Sequence, residues 1–596
     1  MAVQRFKLPL NAARFPLISS RASRAVCVPQ LDAAPRTPRV FMGTDESIDY
    51  DMPQIIYCEN VMPTSSGIAS VGYRQRVNSV LSSPVASLQR ASLVFPLRDQ
   101  NVNVTLFAPQ VGSTVLDLIC NVCTVAVEYS DGTFFGPWSQ LAPVGWYALD
   151  VASVNRYHMA KFSYAYVDGK TFVAASRILA AAGASTPASI RQWTGTAFVD
   201  PAIANLPFPY PEVDGVTSSM GNLIVWSGLK VAWAPYNGTT FDFNIFANGN
   251  YTGAGSQVPE ELKANITACV GLPGGFVIFT SKNAVAATYN SQNLAAPWSF
   301  REISGAGGVK TFEQITVEGS LGYLYAHTTT GLQKITLNSA ESFAPDVSDY
   351  LAGRETESYN FSSHTTTVSP VPINYYTKLT NAGNRFLVIS CGLWATSDGT
   401  TIVTPEFSHA LVYDLELKRW GKLAIQHTDC LYFNFGSAQT DTTYAQLAGL
   451  SYETFTEFAT GTYDTVTGQP VTTVASQQSL GFLNRDYSIR VADWSNRTRF
   501  SEDEAVAIIG RTQISRSRRT ELQGVEVEGL KSGRVYVTPS EDGYTLSAPQ
   551  EFIPVIDTPE FVRVEGLVDC VNFNTTVEGT FNISTLIVEA TTAGMF

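Results

Sequence analysis

Arg385–Leu423 reads RFLVISCGLWATSDGTTIVTPEFSHALVYDLELKRWGKL. Two runs within it, Phe386–Ser390 and Ala410–Leu415, are rich in Val, Ile, Leu, Phe and Tyr, the residues that suit a pleated, half-buried surface. Turn residues separate them, and Trp420-Gly421 closes the stretch. Short strands with an aromatic at the seam follow the logic of a β-propeller blade, a small antiparallel sheet packed against the next around an axis.

Working outward, related fragments recur. Ser130-Asp131-Gly132-Thr133 precedes Gly136-Pro137-Trp138, Trp193 precedes Thr194-Gly195-Thr196, and Trp233 precedes Asn237-Gly238-Thr239. Pro297-Trp298 and Trp394 with Ser397-Asp398-Gly399 continue the series. The spacing varies, so this is a degenerate repeat of strand, turn and aromatic rather than a solenoid of one period. Trp138, Trp298, Trp394 and Trp420 are the expected blade aromatics. Two hairpins are legible from turn chemistry: Phe276–Thr280 with Ala284–Tyr289 around Lys282-Asn283, and Leu321–His327 with Leu332–Leu337 around Thr330-Gly331.

From Arg511 the pattern changes. Leu522–Val527, Arg534–Thr538, Arg563–Leu567, Val571–Val577 and Phe581–Glu589 alternate with period two, as a sheet with one wet face requires. They predict a separate β-sandwich-like unit. The expected architecture is therefore all-β: an extended basic arm over 1–50, a β-rich platform over 51–150, a propeller-like body over 151–510, and a C-terminal β-domain over 511–596.

Composition agrees. Of 596 residues, 45% are hydrophobic and 15% are charged, too few Lys and Glu for a surface of solvent-facing helices. The net charge of −13 disfavours a protein that grips nucleic acid by neutralising phosphates. The first 40 residues run the other way. Arg5, Lys7, Arg14, Arg21, Arg24, Arg36 and Arg39 stand against Asp32 alone, a balance of +6 that leaves −19 for the rest. Such a start also resembles a transit peptide, but prolines at 9, 16, 29, 35 and 38 break any long amphipathic helix. The arm and its seven cations are expected to dock on a neighbouring subunit. No apolar run approaches the roughly 18 residues of a spanning helix.

Chemistry-bearing patterns are sparse. The lone CxxC, Cys120-Asn121-Val122-Cys123, sits in an apolar strand-like run without the second ligand pair zinc requires, and reads as inert buried thiols. None of the five histidines falls in HExxH, and no GxSxG, Walker loop or dinucleotide fingerprint appears. Ser397-Asp398-Gly399-Thr400 and Ser540-Glu541-Asp542-Gly543 resemble the Asp-box turns of sialidase-like propellers, which are structural turns. No cofactor or metal is expected, and no enzymatic activity.

Three stretches carry a resemblance. LVYDLELKRWGKL, the segment ENVMPT…GIASVGYR over 59–74, and the C-terminal LQGVEVEG…GRVYVTPSEDG and VEGTFNISTLIVE resemble propeller-bearing tail hub or nozzle proteins of short-tailed bacteriophages. The second stretch lacks the closing Pro-Gly of that pattern. The resemblance implies a virion structural protein, made in the host cytoplasm and residing in the tail. It implies a homohexameric ring that extends the portal channel, retains the genome and conducts it during ejection. The implied partners are further copies of the chain, the head–tail adaptor, tail fibre proteins, and DNA in passage only. A receptor- or carbohydrate-binding propeller module is the alternative, and a glycosidase the second alternative.

Overall fold

The computed structural model describes residues 4–10, 26–28, 39–41, 55–65, 67–77, 95–98, 104–111, 118–124, 139–140, 162–175, 190–209, 212–317, 321–351, 357–360, 365–368, 375–393, 406–434, 478–484, 489–493, 505–512, 520–540, 550–552, 555–558, 561–570 and 572–592. Strands dominate them, and the one α-helix is the single turn Ser348–Leu351. No described helix is long and apolar enough to cross a membrane.

The body is a β-propeller with a five-blade run of four-stranded antiparallel meanders. Blade A comprises Phe162–Val167, Lys170–Ala175, Ile190–Trp193 and Phe198–Val199. Blade B comprises Gly215–Ser219, Asn222–Ser227, Lys230–Pro235 and Gly255–Gln257. Blade C comprises Ile266–Leu272, Gly275–Thr280, Asn283–Tyr289 and Trp298–Gly307. Blade D comprises Ile315–Val317, Tyr323–Thr328, Gly331–Thr336 and Ala340–Ser342. Blade E is the stretch quoted first, with a strand added in front: Tyr375–Ala382, Phe386–Leu393, Glu406–Asp414 and Arg419–Leu423. The hairpin read around Lys282-Asn283 is present with Phe279 opposite Ala284, and that around Thr330-Gly331 with Thr328 opposite Gly331.

Two further sheets of the same build flank the run. Phe95–Arg98, Val104–Val111, Leu118–Thr124 and Ser139–Gln140 form one, and Cys120 and Cys123 lie on its third strand. In the other, Asp429–Asn434, Gln478–Leu483 and Ile489–Asp493 are completed by Gly72–Val77, more than 350 residues earlier in the chain. Such non-local pairing clasps early and late parts of the chain together.

The C-terminal region departs from the sequence reading. Thr520–Ser540 and Asn572–Thr592 are continuous strands of 21 residues each, where shorter separate strands were expected. Bulges near Leu530 bend the pair instead of ending it. Gly533 and Gly579 face each other there with φ of 131° and 120°, and a Cβ on Gly533 would lie 1.9 Å from the Glu578 carbonyl oxygen. The result is a curled sheet.

That sheet also is not built from C-terminal residues alone. Ile55–Glu59 pairs with Val506–Thr512, Ile68–Ser70 pairs with Asn572–Thr592, and Gln4–Pro9 forms its edge beside the same long strand. One core of Leu8, Leu10, Ile55, Ile68, Val525, Val535, Phe573 and Leu586, among others, lies beneath.

Candidate functional site

Three surfaces can be built from the residues upward: the seams between blades, the junction of propeller and curled sheet, and the loop face of the propeller.

The seams use two devices. Aromatics provide the first. Trp298 is buried with its ring 4.8 Å from Phe276 and 6.5 Å from Trp233, inside a core shared by blades B and C. Trp420 stacks 4.6 Å from Tyr413 in a core that takes Tyr325 and Leu332 from blade D and Tyr57 and Ile508 from the curled sheet. Trp138 and Trp394 lie outside the described residues. The second device was not read from the sequence: hydroxyl side chains on the first strands sew neighbouring blades. Ser163 Oγ accepts from the Val216 N–H at 2.9 Å, Ser218 Oγ donates to the Tyr166 carbonyl at 3.0 Å, and Thr380 Oγ1 donates to the Cys430 carbonyl at 3.1 Å. Nothing in the sequence marks which backbone group these hydroxyls would meet.

Buried polar groups gather where blades D and E meet the clasped sheet. Lys378 and Asp429 form an ion pair with the carboxylate almost wholly buried. Burial pulls the Lys378 pKa down, the Asp429 charge and hydrogen bond push it up, and the net shift is upward. His327 Nδ1 lies 2.7 Å from Thr377 Oγ1, and burial lowers its pKa to about 4. His409 is held between Tyr350 and Ser408 at 2.8 Å on either side and is pushed well down by burial. These groups are neutral or paired structural elements. Burial likewise raises the thiols of Cys58 and Cys430 to about 12, which keeps them protonated and unreactive. No group of three or more His, Cys, Asp or Glu poised for a metal occurs among the described residues.

At the junction, Gly421 explains the Trp-Gly closure. Val61–Pro63 pairs with Arg419–Leu423, and a Cβ on Gly421 would lie 2.4 Å from the Val61 carbonyl oxygen. Only glycine admits so close a neighbour. Arg419 reinforces the contact by donating to the carbonyls of Thr64 and Ser65 at 2.7 and 2.8 Å. Lys422 reaches Glu59 at 3.6 Å and lies over the Tyr57 ring.

Of the arm cations, Lys7 pairs with Glu528 of the same chain at 3.1 Å. The arm's first strand, Gln4–Pro9, lies at the edge of the chain's own sheet. Burial of Leu8 and Leu10 in the core is the physical reason. Arg5 stands opposite Glu589 in that strand and Arg39 opposite Val28 in the strand Arg39–Phe41. Arg14, Arg21, Arg24 and Arg36 lie outside the described residues, as do the turns at 397–400 and 541–543.

The third surface is a protruding hairpin between the third and fourth strands of blade B. Phe246–Ala247 pairs with Asn250–Tyr251 around Asn248-Gly249, both with positive φ. The Phe246 and Tyr251 rings meet edge to face at 5.3 Å and are half exposed.

No family model matches this chain, and no curated protein does. Among solved structures it is similar to AztD of Citrobacter koseri, with 10% identity over 56% of this chain and 89% of that one, at a TM-score of 0.27. It is also similar to the extracellular domain of a candidate one-component system of B. thetaiotaomicron (9% identity, 92% and 64% coverage, TM-score 0.37). An exo-beta-1,3-galactanase of Phanerochaete chrysosporium gives 9% identity, 88% and 99% coverage and a TM-score of 0.23. Superpositions this loose carry no conclusion about activity, and the propeller assignment rests on the strand pairing itself.

Proposed function

We propose that this chain is a structural protein of a short phage tail, a hub or nozzle subunit. In this reading six copies form a ring that continues the portal channel, retains the genome, and conducts it during ejection. One observation supports it most. The three stretches that resemble such proteins, far apart in the chain, are hydrogen-bonded neighbours: Val61–Pro63 joins blade E to Ile68–Ser70, which joins the long C-terminal strand. Blade and hairpin thus belong to one sheet. A conduit that meets load during genome passage needs its parts joined by strand ladders rather than by a linker.

The role asks for no catalysis, and for only weak contact with DNA. Six copies would carry 6 × −13 = −78 formal charges, which repels a polyanion sliding past. The adaptor and the tail fibres are the proposed further partners, and the virion tail the proposed location. The test is imaging of the purified chain with duplex-DNA binding measured alongside. Six-fold rings and only weak, steeply salt-dependent DNA binding are expected. A chain that stays monomeric at every concentration, or binds duplex sub-micromolar with sequence preference at physiological salt, would remove the reading.

A further inference from the structure

Histidine is unevenly placed along this chain. Residues 159–326, which carry blades A, B and C, contain none. The three described histidines, His327, His409 and His427, all sit at the borders of blade E; His158 and His364 lie outside the described residues. Strand register gathers their contacts at one end of that blade. Thr377, Cys391 and His409 stand side by side across its first three strands, on the face toward blade D. Lys378, Ser390 and Ala410 form the next row, on the face toward the clasped sheet.

Each histidine bonds across a border. His327 of blade D meets Thr377 of blade E at 2.7 Å, and the same hydroxyl accepts from Gln314 Nε2 at 3.3 Å. His409 meets Tyr350 at 2.8 Å, in the helical turn between blades D and E. His427 reaches Ser390 on the other face at 2.8 Å, with its ring 5.2 Å from Phe407 and 5.0 Å from Phe482 of the clasped sheet. The charges around these rings oppose a further proton. Lys310 bears on His327, Lys422 on His409 and Lys378 on His427. The carboxylates nearby already serve lysines: Asp429 pairs with Lys378, Glu59 with Lys422, and Glu313 acts on Lys378. The border of blades A and B is held differently, by Ser163 and Ser218 hydroxyls on backbone groups.

We propose that His327, His409 and His427 form an acid-sensitive latch that seats blade E between blade D and the clasped sheet, and that their protonation frees this blade while blades A to C stay closed. Opening returns each ring to water and to ordinary titration near 6.5. Burial holds His327 and His427 to about 4 in the seated form, so each favours the open form by about 30-fold at pH 5.0. Blades A to C, without histidine, carry no side chain whose ordinary pKa lies between about 5 and 7.5. Release of blade E reaches the curled sheet as well, because Val61–Pro63 is paired to Arg419–Leu423. The inference does not rest on the tail-subunit reading, because either can fail with the other intact.

The test is hydrogen exchange of the full chain at pH 7.5 and 5.0, with rates corrected for their intrinsic pH dependence. Protection over 377–391, 407–413 and 480–483 should fall at least about 30-fold further than over 215–235 and 268–287 in blades B and C. H327Q/H409Q/H427Q should abolish that difference, and H158Q/H364Q should keep it. If the triple variant does not fold, H327Q and H427Q singly should each reduce the difference by about ten-fold or more. Protection that falls uniformly or not at all would overturn the proposal. So would a difference that survives the triple variant or both single ones, or that disappears in H158Q/H364Q.

Discussion

His427 holds its Nε2 2.8 Å from the Oγ of Ser390 and its Nδ1 2.9 Å from the carbonyl oxygen of Ile425, with both side chains buried. The carbonyl can only accept, so Nδ1 carries the proton and Nε2 accepts from the serine hydroxyl. The neutral ring is satisfied, and burial lowers its pKa to about 4. His327 is depressed to about 4 and His409 well below its ordinary value, for the same reason.

The folded state therefore binds fewer protons than the unfolded chain, whose histidines titrate near 6.5. Stability should be full above that value and fall as pH drops from about 6.5 towards about 4. His327 and His427 should each withdraw about 2–3 kcal/mol by pH 4.5. Denaturant titrations at pH 7.5 and 4.5 check this, and His427→Gln should reduce the difference. An equal difference with and without His427 would refute its share.

Trp420→Ala should destabilise the chain by roughly 3–5 kcal/mol, because the ring fills a core shared by blades D and E and the curled sheet. Equilibrium unfolding measures it. A loss under about 1 kcal/mol would show that the seam does not depend on this ring.

Lys378→Met should cost about 3–5 kcal/mol by leaving the Asp429 carboxylate buried without its partner. The double variant Lys378→Met with Asp429→Leu should recover most of that loss. A double-mutant cycle decides it, and strictly additive losses would contradict the coupling.

Gly421→Ala should cost about 1–3 kcal/mol, since the added methyl meets the Val61 carbonyl and the Val61–Pro63 strand must move. Hydrogen exchange should rise at 61–63 and 419–423 ahead of blades B and C. Uniform change would count against a local seam.

Deleting residues 2–40 should leave the blades folded and weaken assembly. It removes Leu8, Leu10 and the Lys7–Glu528 pair, and bares the edge of Asn572–Thr592 over 585–590. Circular dichroism with particle imaging reads both effects, and normal assembly of the truncated chain would exclude a role for the arm.

What the sequence determined by itself was local. The apolar, β-favouring run Phe386–Ser390 and turn chemistry at Lys282-Asn283 and Thr330-Gly331 specify strands and hairpins, because each depends on neighbours a few residues away. An all-β body of small repeated sheets followed from them. Tertiary structure decided the rest. Lys378 gives no sign in sequence that it will meet Asp429, 51 residues on, and Gly421 none that it must admit Val61. The C-terminal runs looked like separate strands because glycine usually ends one, whereas Gly533 and Gly579, placed opposite each other, let two long strands bend together. These features depend on long-range register and desolvation, which exist only once distant segments have paired.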